Sequence, residues 1–275
     1  MAELLNEHPD VEVRGGSSDP SRVELAGVYP VPFSWSDAMT WPAAVHGIDS
    51  LFIVRPDRPD APELIAELLA VTSPHTHVVL LSEFDGGYFA EDDWAPRTER
   101  VVRDGGRTWT VLRPGWFMQV FTDTRFMLGD LVEHGRLAFP SGGQPVSWID
   151  TRDIAAVAAR ALLDTGHEGS TYELTGPKAL TLPRTAELLS AAVSRPVEHV
   201  ELSMEEALAG SEGFARRNDE GAFDRIRLGL AKGVTDTVER VTGHPPRSMQ
   251  EFIADHQSLT QNPAKVTPSG DTDRR

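Results

Sequence analysis

Short, wholly apolar runs alternate along this chain with stretches of helical periodicity, and that alternation restricts the fold more than any other feature. Residues 51–54 (LFIV), 77–82 (HVVLLS) and 108–112 (TWTVL) are the runs. Between the first two, residues 61–72 (APELIAELLAVT) place apolar side chains at i, i+3 and i+4, with Pro62 in the first turn. That is the pattern of a helix with one buried stripe. Residues 93–104 read as a second helix. A strand that is apolar on both faces must be covered on both. The pattern therefore predicts an α/β fold, a doubly wound parallel sheet.

The rest of the chain extends this reading. Residues 1–8 read as the end of a helix stopped by Pro9, and residues 11–13 as a short strand running into Arg14-Gly15-Gly16. Residues 28–33 form a strand candidate that Pro30 and Pro32 confine to a sheet margin or to extended chain. A short helix is expected at 41–46. In the second half, helices are expected at 154–163, 183–193, within 204–231 and at 248–256, with strands at 170–174 and 197–202. The predicted organisation is a Rossmann-like cofactor-binding region over 1–145, a small α/β substrate lobe over 146–257 interleaved with it, and a disordered polar tail over 258–275.

Composition excludes several classes. The formal charge of −16 repels phosphate backbones, so nucleic acid is not an expected partner. There is no cysteine, which removes disulfides, thiolate nucleophiles and Cys-based zinc sites. No run approaches the roughly 18 apolar residues of a membrane span, so no membrane partner is expected. Glu3, Glu7, Asp10 and Glu12 do not suit a signal peptide. The expectation is a cytoplasmic protein, monomer or homodimer, that handles a small molecule.

In an open parallel sheet, ligands lie beyond the carboxyl ends of the strands. Arg14, read as just past a strand, fits either a solvated surface position or a ribose 2′-phosphate site. Ser34, in Phe33-Ser34-Trp35-Ser36-Asp37, flanks an adenine site, or the segment is a turn capped by Asp37 or Thr40. At Arg55-Pro56 the chain passes near a cofactor's phosphates or ribose. Arg55 then pairs either with a phosphate or with Asp57 or Asp60. Ser82 stands where a hydroxyl can hydrogen-bond a substrate carbonyl, which makes it the catalytic candidate, and Phe84 follows it. Pro114 and Gly115 force a sharp exit from a strand. Trp116, Phe117 and Gln119 beyond it either line a substrate pocket or, for the aromatics, fill core.

Other chemistries find no support. His75 and His77 have no third ligand in view, so no metal site is expected. There is no Gly-x-Ser-x-Gly elbow and no Walker loop. Asp150 and Asp153 form a possible acid pair, although Asp153 also suits a first helical turn. The tyrosines are Tyr29, Tyr88 and Tyr172, and none has Lys four residues on. The Tyr-Lys acid of ketone-reducing short-chain dehydrogenases is therefore absent.

Five stretches carry a family resemblance: residues 33–41 (FSWSDAMTW), 107–121 (RTWTVLRPGWFMQVF), 147–162 (SWIDTRDIAAVAARAL), 172–188 (YELTGPKALTLPRTAEL) and 242–256 (TGHPPRSMQEFIADH). Together they resemble the NmrA-like atypical short-chain dehydrogenases, and within them the group that includes agroclavine dehydrogenase. The resemblance implies a Rossmann-like sheet, NADP or NAD as cofactor, and hydride delivery to an imine, iminium, enone or quinone-type small molecule of secondary metabolism. An iminium is already activated, so the missing Tyr-Lys pair agrees with that group. The chain departs from the family in three ways. Ser34 stands where Asp is usual, and Val120 where Asn is frequent. The Gly-x-x-Gly-x-x-Gly turn is not in the sequence. Met1 falls within the helix that should follow that turn, so about 20 residues, one strand and its glycine turn, are expected upstream. Two other readings stay open: a cofactor-free cyclase or isomerase on the same fold, and a dinucleotide-sensing regulator.

Overall fold

A computed structural model of the 275-residue chain describes residues 1–84, 86–193 and 195–260. The elements run α1 (Ala2–Asn6), β1 (Val13–Ser17), β2 (Val28–Pro32), α2 (Trp41–Val45), β3 (Ser50–Val54) and α3 (Ala61–Val71). Then come β4 (His77–Leu81), α4 (Trp94–Asp104), β5 (Trp109–Pro114), α5 (Leu128–His134) and β6 (Arg136–Phe139). The second half holds α6 (Thr151–Leu163), β7 (Ser170–Leu174), α7 (Leu182–Val193), β8 (Glu198–Glu201) and α8 (Met204–Ala207). It closes with α9 (Gly213–Arg227), α10 (Thr237–Thr242) and α11 (Met249–Thr260). The tail expected from residue 258 lies outside the described residues from 261 onward.

The chain forms two compact units. The first comprises Met1–Pro114, Arg152–Leu174 and Thr237–Gly243; the second begins with Gly115–Thr151 and Thr175–Asp236 and continues from His244. The first division thus falls at Pro114, not at 145, and the chain returns to the first unit twice.

In the first unit every strand pairing is parallel. β3-β4-β5-β7 form a four-stranded sheet, and β1-β2 a separate pair. Among the described residues no strand joins β1 to β3. The four-stranded sheet is the predicted one, because its apolar runs are covered by helices. Ile53, Val78, Leu80 and Val111 pack with Ile65, Leu68 and Leu69 of α3, Val102 of α4 and Trp41 of α2. Truncating Leu68, 1% exposed, to alanine costs about 2–5 kcal/mol by the cavity rule. The carbonyls at the end of α3 are satisfied by Arg107, which donates to the carbonyls of Leu69 (2.5 Å) and Thr72 (2.8 Å).

Two strands differ from expectation. β1 includes Arg14, Gly15 and Gly16 instead of ending before them. The glycines are there for packing: a Cβ on Gly15 would lie 2.9 Å from Val28 Cγ1, and one on Gly16 3.0 Å from Phe33 Cβ. β5 runs through Arg113 and Pro114 instead of stopping at 112. Proline lacks a donor but keeps its acceptor, and the Phe84 N–H donates to the Pro114 carbonyl at 3.0 Å.

The second unit holds the parallel pair β6-β8 and the helices α5, α7, α9 and α11 around one apolar cluster. α5, β6 and, in the first unit, α10 were not anticipated. Gly135 ends α5 with φ +62°, and a Cβ there would lie 2.5 Å from the Pro196 carbonyl oxygen.

Candidate active site

The rim formed by β1 and β2 carries Arg14 and Ser34. Arg14 is the second residue of β1, so it is not past the strand's carboxyl end, which is formed by Ser17 and then Asp19. Its guanidinium donates to Glu12 (2.9 Å) and to the His46 carbonyl (2.7 Å). Asp19 caps the short 3-10 turn that follows, accepting from Ser21 N–H at 3.2 Å. Ser34 lies beyond β2 in a tight turn: its Oγ accepts from the Ser36 N–H (3.2 Å) and its carbonyl from the Trp41 indole (2.7 Å). Asp37 caps the next 3-10 turn, as the capping alternative expected. Phe33, Trp35 and Trp41 form an edge-and-face cluster with centroids 5.1–6.4 Å apart.

At the ends of β3 and β4 the structure builds a latch. Arg55 donates to Glu83 at 2.6 Å, and its guanidinium carbon sits 3.7 Å from the ring centroid of Trp94, the first residue of α4. The side chains of Arg55 and Glu83 are only 11% and 16% exposed. Asp60, one of the partners expected for Arg55, is held by both arms of Arg58. Pro56 continues the turn, its carbonyl accepting from the Arg58 N–H at 2.9 Å.

Immediately after β4, Ser82 is buried and its Oγ donates to Glu99 at 2.7 Å. The same carboxylate receives a bidentate fork from Arg113 (2.8 and 2.7 Å) and a further bond from Arg103 (2.8 Å). The hydroxyl expected to face a substrate carbonyl thus faces a carboxylate of the protein itself. Sequence reasoning missed Glu99. The signal was its spacing: Ala95, Thr98, Glu99 and Val102 are the buried face of α4, and an acid on an apolar stripe needs partners. The tyrosines supply no substitute acid. The Tyr172 hydroxyl lies 2.8 Å from His167 Nδ1, Tyr29 is exposed on β2, and Tyr88 stands edge-on to Phe89.

The remaining pocket candidates belong to the second unit. Trp116 packs on Phe139, Trp148 and Phe223 at 5.2–6.1 Å. Phe117 forms a parallel bridge with Ile149. Gln119 donates to Asp150 (3.0 Å) and accepts from the Thr151 N–H (3.0 Å), so its amide is held against the start of α6. Asp150 is fully buried, and Asp153 lies in the first turn of α6. His77 is partly buried at the start of β4, its ring bonded to Thr108 (2.9 Å) and Thr110 (3.2 Å). Burial lowers its pKa, with the Glu168 charge opposing and His167 adding to the shift. Among the described residues no group of acids and histidines could hold a metal, and no helix is long and apolar enough to cross a membrane.

The ends of β2 through β5 offer the polar turn at Ser34, the Phe33–Trp35 aromatic edge, and Arg55 and Arg113, each paired with a carboxylate of the chain. Gly15 and Gly16 do not offer a pyrophosphate cradle, because the space a Cβ would fill there is already taken by Val28 and Phe33.

The architecture is that of a Rossmann-like α/β oxidoreductase. No family model matches the chain. It is 36% identical over 245 residues to an NAD(P)H azoreductase of Xenophilus azovorans, covering 84% of this chain and 83% of that protein. It is 30% identical over 160 residues to agroclavine dehydrogenase of Claviceps fusiformis, covering 56% and 55%. An NADPH-dependent quinone oxidoreductase of Escherichia coli, complexed with NADPH, superposes with a TM-score of 0.75 at 20% identity over 92% of this chain and 93% of that one. The chain belongs to the NmrA-like atypical short-chain dehydrogenase/reductase family.

Proposed function

We propose that this protein is an NAD(P)H-dependent oxidoreductase that delivers hydride to an electron-poor π-acceptor, an imine or iminium, enone or quinone-type small molecule of secondary metabolism. The observation that carries the reading is the 36% identity, over most of both chains, to an NAD(P)H azoreductase. Hydride alone neutralises an iminium, and the anion that hydride leaves on a quinone or an azo N=N bond takes its proton from water, so none of them requires a tyrosine acid. Neither Ser82, which donates to Glu99, nor a Tyr-Lys pair, which the sequence does not contain, supplies such an acid.

A reduced nicotinamide would supply the hydride. Within the first unit, Ser34 and the Phe33–Trp35 edge suit the adenosine, Arg55 and Pro56 shape the turn beside the phosphates and ribose, and Phe84 and Pro114 border the nicotinamide. Trp116 and Phe117 are the residues proposed to meet the acceptor, supplying aromatic faces for a flat ring.

The test is a titration of the purified chain with NADPH and with NADH, read by tryptophan fluorescence, followed by turnover with an azo dye, a quinone and a cyclic iminium. Saturable binding and cofactor oxidation with at least one acceptor are expected. A chain that binds neither nucleotide overturns the proposal.

A further inference from the structure

Glu99 accepts four hydrogen bonds, and it has no place in the chemistry proposed above. It is 2% exposed. Its Oε1 accepts from Ser82 Oγ and Arg113 Nε, and its Oε2 from Arg113 and Arg103. Taking a carboxylate out of water costs several kcal/mol, and the four donors offset that cost. A leucine on the same stripe would fill the space with no such cost, so the acid is not explained by packing.

The partners show what the acid achieves. Ser82 and Arg113 stand at the ends of β4 and β5. The Ser82 N–H donates to Leu112 O at 2.8 Å, and the Phe84 N–H to Pro114 O at 3.0 Å. The two strands thus keep their pairing as far as Phe84, three residues beyond Leu81, where the named strand β4 ends. Strand ends usually fray into loops there. Glu99 holds both from one helix, at the point where the ladder stops. Arg103 ties the same carboxylate to Thr171 of β7 (3.1 Å), which extends the hold to a third strand.

We infer that Glu99 is the positioning residue of this site: through Ser82 and Arg113 it fixes the Phe84 and Pro114 backbone that borders the nicotinamide. The inference rests on the oxidoreductase reading for what that backbone does, and on geometry alone for the clamp. Glu99 touches neither cofactor nor acceptor.

The test compares wild type with Glu99→Gln, which keeps the shape and removes the charge. Two readouts are needed: hydrogen exchange of the Phe84 amide relative to amides of β3, and the NADPH dissociation constant by tryptophan fluorescence. Phe84 exchange is expected to rise about tenfold more than exchange in β3, and the dissociation constant about tenfold with it. A merely structural acid would speed exchange in both regions alike and leave binding unchanged in the folded fraction; that result overturns the inference. So does faster Phe84 exchange with unaltered binding. If Glu99→Gln does not fold, Glu99→Asp takes its place. It keeps the charge for Arg113 but is too short to reach Ser82 as well, and the same two readouts decide. Wild-type protein that binds no nucleotide refutes the oxidoreductase reading, whereas a variant that binds like wild type refutes only the role of Glu99.

Discussion

Replacing Arg55 separates a cofactor ligand from a latch. Its guanidinium is bonded to Glu83 at 2.6 Å and stacked 3.7 Å from the Trp94 ring, with both charged side chains more than four-fifths covered. Removing one partner of a buried ion pair costs about 3–5 kcal/mol, and the partial exposure of this pair brings that to about 2–4 kcal/mol. The lost cation–π stack adds about 1 kcal/mol. Arg55→Ala is therefore expected to lose roughly 3–5 kcal/mol, equivalent to about 10 °C in thermal midpoint for a chain of this size. Arg55→Lys keeps a charge beside Glu83 but loses the planar stack, so it should lose only about 1–2 kcal/mol. The assay is thermal and urea unfolding by circular dichroism for Arg55→Ala, Glu83→Gln and the double variant. The cycle should return a coupling of at least about 1.5 kcal/mol. A coupling below about 0.5 kcal/mol would refute the latch, and a variant with wild-type stability but weakened nucleotide binding would show that Arg55 serves a phosphate instead.

Three further outcomes follow from the same geometry. Ser82→Ala removes one of four donors to Glu99; it should lower stability by about 1 kcal/mol and change kcat less than about threefold, whereas a loss of about a hundredfold would mark Ser82 as a proton donor. Arg14→Ala should alter NADPH affinity less than about threefold, because the residue lies inside β1 and is tied to Glu12 and His46; a fall of tenfold or more, absent for NADH, would return it to a 2′-phosphate role. Burial holds the His77 pKa below the usual imidazole value of 6.5. The unfolded chain therefore takes up the proton first, and stability from this group, present above 6.5, should be lost as pH falls below it. His77→Gln should flatten that part of the stability–pH curve, and an unchanged curve would contradict the assignment.

The parallel sheet was legible because its evidence is local. Residues 51–54 and 77–82 are apolar on both faces, and only helices on both sides can cover them. The helix at 61–72 likewise declares itself through the Ile65, Leu68 and Leu69 stripe. Gly15-Gly16 is expected beyond a short strand at 11–13 but lies inside β1, since the close approach of Val28 and Phe33 that requires glycine comes from a distant segment. The strand end at Pro114 was placed two residues early for a similar reason: the carbonyl that keeps it in the ladder is used by Phe84, about thirty positions away in sequence. The site candidates were found by their position at strand ends, and position gives no side-chain partner. Hence Ser82 was read as facing substrate, Gln119 as facing a pocket, and Arg14 as past its strand. In each case a contact distant in sequence decides: Glu99 for Ser82, Asp150 and Thr151 for Gln119, and His46 for Arg14. Glu99 itself was visible as an acid on the buried stripe of α4, but only its three partners give it a meaning.

The central claim, hydride transfer from a nicotinamide to an acceptor that needs no protein acid, is tested most directly with NADPH or NADH carrying deuterium at the transferring position. Turnover of a quinone, azo or iminium acceptor should consume the cofactor with a primary isotope effect. With a carbon acceptor the label should appear at the reduced carbon, and the rate should be independent of any tyrosine in the chain. Cofactor left intact with every acceptor, or a rate abolished by Tyr172→Phe, would contradict it.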